Sequence, residues 1–220
     1  MIAALLQNLP PLPQPFPDAV VCVVDGDEAV RSRLKRLFTA ARLTVETFTS
    51  AVEYLGRAPH PGPVCVVSAM LMPGLDGLEF QKILAGRSER LVFLTGHGDV
   101  PMCARAMKAG AVDFLTKPVD EETLLSAVTR ALSLAREASR TRAEQAAARA
   151  VLESLTPRES EVMECVIAGM LNKQIAAKLG VAEKTVKIHR GRVMRKTHSL
   201  SVPDLLRLFI RAGDEAHRVG

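Results

Sequence analysis

Two groups of residues carry side chains able to do chemistry. The first is scattered. Asp25, Gly26 and Asp27 follow one apolar run, Ser68, Ala69 and Met70 another, Thr95 and Gly96 a third, and Lys117 and Pro118 a fourth. Two carboxylates, a hydroxyl and an ammonium gathered at one place could surround a metal ion and a phosphoryl group. The second group is contiguous. Between Glu183 and Lys196 the basic residues are Lys184, Lys187, Arg190, Arg192, Arg195 and Lys196, and Glu183 is the sole acid. Such a basic face suits a phosphate backbone.

The scattered residues come together only if their apolar runs are strands of one parallel sheet. Val20 to Val24 is a β-branched and apolar run, as expected of a strand buried on both faces. Thr44–Phe48, Val64–Val67, Leu91–Thr95 and Asp113–Leu115 are read as further strands. They alternate with helical patterns at Glu28–Ala41, Ser50–Gly56, Leu78–Ala85, Pro101–Ala109 and from Glu121 onward. Five strands alternating with five helices predict an α/β doubly wound five-stranded parallel sheet covered on both sides. Ligands of such sheets bind at the carboxyl ends of the strands, where the named residues stand.

The basic run belongs to a different pattern, a small all-α domain. Thr156-Pro157-Arg158-Glu159 combines a capping hydroxyl, Pro at the first helical position and Glu three residues on. Val162, Cys165, Val166 and Met170 recur at helical spacing, and Gly169 can end that helix. Asn172 is expected to cap the next helix, which carries Ile175, Ala176 and Leu179. Gly180 supplies a left-handed exit, and a third helix starts near Glu183. Two short helices joined at a glycine turn describe a helix-turn-helix with the basic helix second, where a recognition helix lies.

Leu-Thr-Pro-Arg-Glu, Asn-Lys-Gln-Ile-Ala and Glu-Lys-Thr-Val-Lys-Ile-His-Arg resemble the LuxR-type helix-turn-helix of the FixJ/NarL response regulators, over residues 151–213. The resemblance implies a four-helix DNA-binding domain. Lys187, Ile188 and Gly191 would face base edges, and Lys184, Thr185, His189 and Arg192 would meet phosphates or flanking bases. Arg190 joins the same DNA-binding face, and Val186 and Val193 would point inward. Ala182 departs from the serine usual at the helix N-cap, at a cost of about 1 kcal/mol. Gly191 has no side chain with which to read a base. The last helix, Val202 to Ala212, would dimerise the DNA-bound domains through Leu205, Leu206, Leu208 and Phe209, with part of that stripe reserved for the domain's own core.

Upstream, Thr95-Gly96-His97-Gly98-Asp99-Val100-Pro101-Met102 and Ala106-Met107-Lys108-Ala109-Gly110-Ala111-Val112-Asp113-Phe114 are similar to the receiver domain of the FixJ subfamily, over about residues 19–135. The resemblance implies a flavodoxin-like receiver. Thr95 would be its switch hydroxyl, Phe114 its switch aromatic and Lys117 its phosphate-contacting lysine, with Pro118 in the cis form. The phosphoacceptor lies three residues before a Met-Pro pair, here Met72-Pro73, and that count lands on Ala69. A direct metal-binding position carries Gly26. Of the magnesium ligands that the resemblance implies, the carbonyl of Leu71 alone remains. No metal is therefore expected, nor any cofactor, and Lys117 is expected to pair with Asp25. Ser68 should face away from the pocket if position 69 faces it, and Asp76 reads as a turn residue. Two readings account for Ala69: a natural pseudo-receiver, or an Asp-to-Ala replacement that blocks phosphorylation. The second departure, at Gly26, favours the first reading, because a block needs one change.

Composition sets the remaining bounds. The chain has 220 residues and a net charge of +5, and residues 151–220 carry 12 basic against 8 acidic side chains, whereas residues 1–119 carry 12 against 11. The excess lies where a DNA partner is expected. Cys22, Cys65, Cys103 and Cys165 lack metal-ligand spacing and read as buried reduced thiols. No apolar run reaches the ~20 residues of a membrane span, and no basic segment opens a leader, so a cytoplasmic protein with no membrane partner is expected. The expected segments are a Pro-rich tail (1–18), the receiver (19–135), a helical linker (136–150), the DNA-binding domain (151–213) and a tail (214–220). The linker, rich in Arg, Ala, Glu and Gln past Ser139, should continue the last receiver helix as a spacer between domains. Expected partners are double-stranded DNA and a second copy of the chain. RNA polymerase is a further candidate, and a cognate histidine kinase stays an open question. The competing class is a protein-interaction module in which the receiver titrates another regulator. No nucleophile–base constellation supports an enzyme.

Overall fold

The computed structural model describes residue 16 and residues 18–72, 74–96 and 100–213. The two expected tails, Pro73 and the His97–Asp99 stretch of the receiver-like motif lie largely or wholly outside them. The chain divides into two compact units, residues 1–139 and 140–220.

In the first unit β1 (Val20–Val24), β2 (Thr44–Phe48), β3 (Val64–Ser68), β4 (Arg90–Thr95) and β5 (Asp113–Thr116) form one parallel sheet in the order β2-β1-β3-β4-β5. Between them run α1 (Glu28–Ala40), α2 (Ala51–Leu55), α3 (Gly77–Leu84) and α4 (Val100–Lys108). Alternate strand residues face opposite layers. Val21, Val23, Cys65, Val67, Val92 and Leu94 pack with Leu34 and Phe38 of α1 and with Leu124, Val128 and Leu132 of the following helix. Val20, Cys22, Val24, Val66 and Phe93 pack on the other face with Tyr54, Phe80, Leu84 and Ala106. Every residue of β1 is fully buried, which accounts for its unbroken apolar run.

The helix α5 (Glu121–Glu153) is continuous through the expected linker. No Pro or Gly interrupts it, and Ala, Arg, Glu and Gln have high helix propensity. Leu124, Leu125, Ala127, Val128, Ala131 and Leu132 belong to the sheet core, while Leu152 packs on the second core.

The second unit contains the end of α5, then α6 (Pro157–Ile167), α7 (Asn172–Leu179), α8 (Glu183–Lys196) and α9 (Val202–Arg211). The start of α6 is the expected capping box: Thr156 and Glu159 satisfy each other's backbone N–H groups. Gly180, at φ 66°, turns the chain out of α7, a left-handed conformation in which a Cβ is strained. Val162, Met163, Cys165, Val166, Ile175, Val186, Val193 and Leu205 make the core.

Three local expectations are corrected. Asn172 is the first residue of α7 and not its N-cap. Leu171 holds that position, its N–H donating to Gln174 Oε1 at 2.7 Å, and the Asn172 side chain accepts instead from Arg190 at 3.2 Å. Asp76 is more than a turn residue: it caps α3 in a reciprocal box with Glu79. Leu205, an expected dimer residue, is fully buried in its own domain, and Phe209 packs on that core too. A helix that must close its own core uses the centre of its apolar stripe to do so. The large apolar side chains that α9 leaves exposed are Leu206 and Ile210.

Candidate functional site

The strand order reverses between β1 and β3, so the loops after these two strands leave a crevice at their carboxyl ends. Asp25 and Ala69 stand there, 7% and 9% exposed, and the Ala69 N–H donates to Val24 O at 2.9 Å. Lys117 follows β5. Its N–H donates to Thr95 O at 2.7 Å, and its Nζ reaches Asp25 Oδ2 at 2.6 Å. The expected ion pair is present. The other Asp25 oxygen accepts from the Asp27 N–H at 2.9 Å, and Arg31 donates to the Asp25 carbonyl at 2.7 Å. The peptide between Lys117 and Pro118 is cis, as expected.

Asp27 does not join this cluster. Its carboxylate caps α1, accepting from Ala29 N at 2.8 Å and Val30 N at 3.4 Å. An aspartate directly before a helix finds these N–H donors locally, and the helix dipole holds it there. Ser68 is fully buried, and its hydroxyl donates to Ala69 O at 2.9 Å. Thr95 is buried, and Phe114 packs beside Phe93 with ring centroids 6.1 Å apart. A side chain at Gly26 would have room: the nearest heavy atom to a built Cβ is Thr49 O at 4.0 Å. Among the described residues, no three of His, Cys, Asp and Glu converge as a metal site. Burial pushes the Cys22 thiol up to about 12, and Cys65 rises for the same reason.

The second candidate surface is α8. Val186 and Val193 are buried, so the opposite face points outward. Lys184, Lys187, Ile188, Gly191 and Arg192 are exposed, and Thr185, His189 and Arg190 are half-buried. Lys187 lies 3.6 Å from Glu183 on the same helix. Two cations of the basic run serve the fold. Arg190 binds Asn172, and Lys196 binds Glu159 at 2.7 Å and the Ser154 carbonyl at 3.0 Å. Those contacts hold Glu159 down to about 2, chiefly through Lys196 and then through the Thr156 N–H. Arg195 is exposed on the same face as Lys184, a placement that helical spacing could have revealed. Arg158 reaches the Leu179 carbonyl at 2.6 Å, closing the end of α7.

A doubly wound sheet with an acid, a hydroxyl and a lysine at its strand ends, followed by a helix-turn-helix with a basic second helix, defines a two-domain response regulator. Residues 21–129 match the family described as the response regulator receiver domain. Residues 153–209 match the bacterial regulatory proteins of the luxR family. The chain is 43% identical to nodulation protein W of Bradyrhizobium diazoefficiens over 90% of its own length and 88% of the relative's. It is 40% identical to the response regulator protein TmoT of Ectopseudomonas mendocina, over 90% of each chain. Its fold superposes on the response regulator StyR with a TM-score of 0.74 and 42% identity, covering 88% of this chain and 99% of that one. The chain belongs to the response regulators with a receiver domain and a LuxR-type DNA-binding domain, and it is a transcription regulator rather than an enzyme. No helix among the described residues is long and apolar enough to cross a membrane.

Proposed function

We propose that this regulator binds DNA as a homodimer and does so without aspartyl phosphorylation of its receiver. The observation that carries the reading is the strand-end pocket. Ala69 offers no carboxylate to form an acyl phosphate, and Gly26 offers none to a metal. The remaining acid, Asp25, is held by the Lys117 ammonium at 2.6 Å. Mg²⁺ needs several oxygen ligands at near-octahedral geometry. One carboxylate already neutralised by an ammonium does not fit that ion.

In this reading the receiver is a fixed dimerisation or interaction module. α8 enters the major groove, with Lys187, Ile188 and Gly191 toward base edges and Lys184, Thr185, His189 and Arg192 toward phosphates. The exposed Leu206 and Ile210 of α9, rather than Leu205, support pairing of two DNA-bound domains. The protein acts in the cytoplasm, and a histidine kinase is dispensable to it.

The test exposes the full chain to acetyl phosphate and Mg²⁺, then measures intact mass and affinity for the DNA upstream of its own gene. The expected result is no phosphoryl adduct and unchanged affinity. The paired substitution Ala69→Asp with Gly26→Asp should restore adduct formation, because it returns a carboxylate to the acceptor position and another to the metal. An adduct on the unaltered chain, or an affinity that rises with acetyl phosphate, overturns the proposal.

A further inference from the structure

The outward face of α8 has an apolar centre that its charge conceals. Val186 and Val193 are 0% and 1% exposed and define the inward side. At about 3.6 residues per turn, the opposite row is Lys184, Ile188, Gly191 and Arg195, all exposed. Ile188 is 49% exposed. Next along the row, a Cβ at Gly191 would meet no heavy atom within 4 Å. The row is thus a cation, an isoleucine, a notch with no side chain, and a second cation.

An isoleucine cannot donate to or accept from a base edge. The apolar group that the major groove presents is the thymine C5-methyl. Gly191 adds no side-chain donor and leaves open space beside Ile188 where a side chain would stand. We propose that Ile188 and Gly191 form a thymine-methyl pocket, with Lys184 and Arg195 flanking it as backbone or base contacts. Arg195 then belongs to the DNA surface. The inference rests on the DNA-binding reading above and specifies which base chemistry that surface selects.

The test begins with selection of sites from a random duplex pool by the full chain. Each thymine of the selected half-site is then replaced in turn by deoxyuridine, which removes the methyl alone. One position should lose about three- to five-fold in affinity, the worth of one buried methyl. Ile188→Ala should bind thymine and deoxyuridine at that position equally, while thermal unfolding stays unchanged, because the side chain lies on the surface. Gly191→Val fills the notch and should abolish or reverse the preference for the methyl. A selected site with no methyl-sensitive thymine, or a methyl effect that persists in Ile188→Ala, overturns the inference and leaves DNA binding standing. Failure to select any sequence removes the DNA-binding reading itself, and the pocket with it.

Discussion

Lys196 Nζ lies 2.7 Å from Glu159 Oε2, and the Glu159 side chain is 3% exposed. The last cation of the recognition helix, its side chain 38% exposed, is therefore tied to a buried acid of its own domain. It joins the far end of α8 to the first turn of α6 and to the Ser154 carbonyl.

The role of this lysine can be read from salt dependence. Removing one cation that touches a phosphate should lower the slope of log affinity against log salt by about one. Lys187→Ala should do this. Lys196→Met should weaken binding through a displaced helix and leave the slope unchanged. Titrations at several salt concentrations check both, and a lower slope for Lys196→Met would place that ammonium on DNA.

The same pair sets a pH dependence. Glu159 is held well below the ordinary carboxylate value, to about 2, so the folded domain binds its proton less readily than the unfolded chain. Its contribution is complete above the unfolded value near 4.5 and is lost as pH falls through that window toward 2. Glu159→Gln should be less stable than the parent at neutral pH, and the gap should narrow on acidification. Unfolding midpoints of the C-terminal transition from pH 7 to pH 3 measure this.

The two ends of the helix-turn-helix joint give opposite predictions. Ala182 has extended N-cap geometry and no side-chain hydrogen bond, so Ala182→Ser should stabilise the domain by about 1 kcal/mol. Gly180→Ala puts a Cβ at φ 66° with open space around it, so the cost is conformational, about 1–2 kcal/mol. Gly180→Asn should cost less. Chemical denaturation of the three variants orders them.

In the receiver, Asp25 and Lys117 are 92 residues apart in sequence and share a 2.6 Å contact. Asp25→Asn and Lys117→Met should each destabilise the first unit. The double variant should lose less than their sum, with a coupling of about 1–2 kcal/mol. A thermal-unfolding cycle checks this, and additive losses would mean that the pair contributes nothing to stability.

Much of the architecture was legible because its signals are local. The unbroken apolar β1, the Thr156–Glu159 box and the Gly180 exit each depend on residues within a few positions of one another. Family resemblance carried the strand-end residues to one site, and Asp25, Ala69, Thr95 and Lys117 are placed accordingly. Local competition decided cases that the motif alone misjudged. Asp27 stands in the acidic cluster by position, yet it finds helix N–H donors nearer than any pocket partner. Asn172 gives up its expected cap to bind Arg190, 18 residues on.

Residue type and period are enough to establish the alternating α/β pattern, the basic second helix and the lack of a carboxylate at positions 26 and 69. No contact between distant segments alters any of these. How the cations are divided is a different matter, settled by packing. Lys184, Lys187, Arg192 and Arg195 face outward, whereas Arg190 and Lys196 hold neighbouring helices. Packing likewise sends Leu205 inward and leaves Leu206 and Ile210 outside. A lysine or a leucine has the same identity in either place, and only the position of its neighbours determines whether it binds its own domain or a partner.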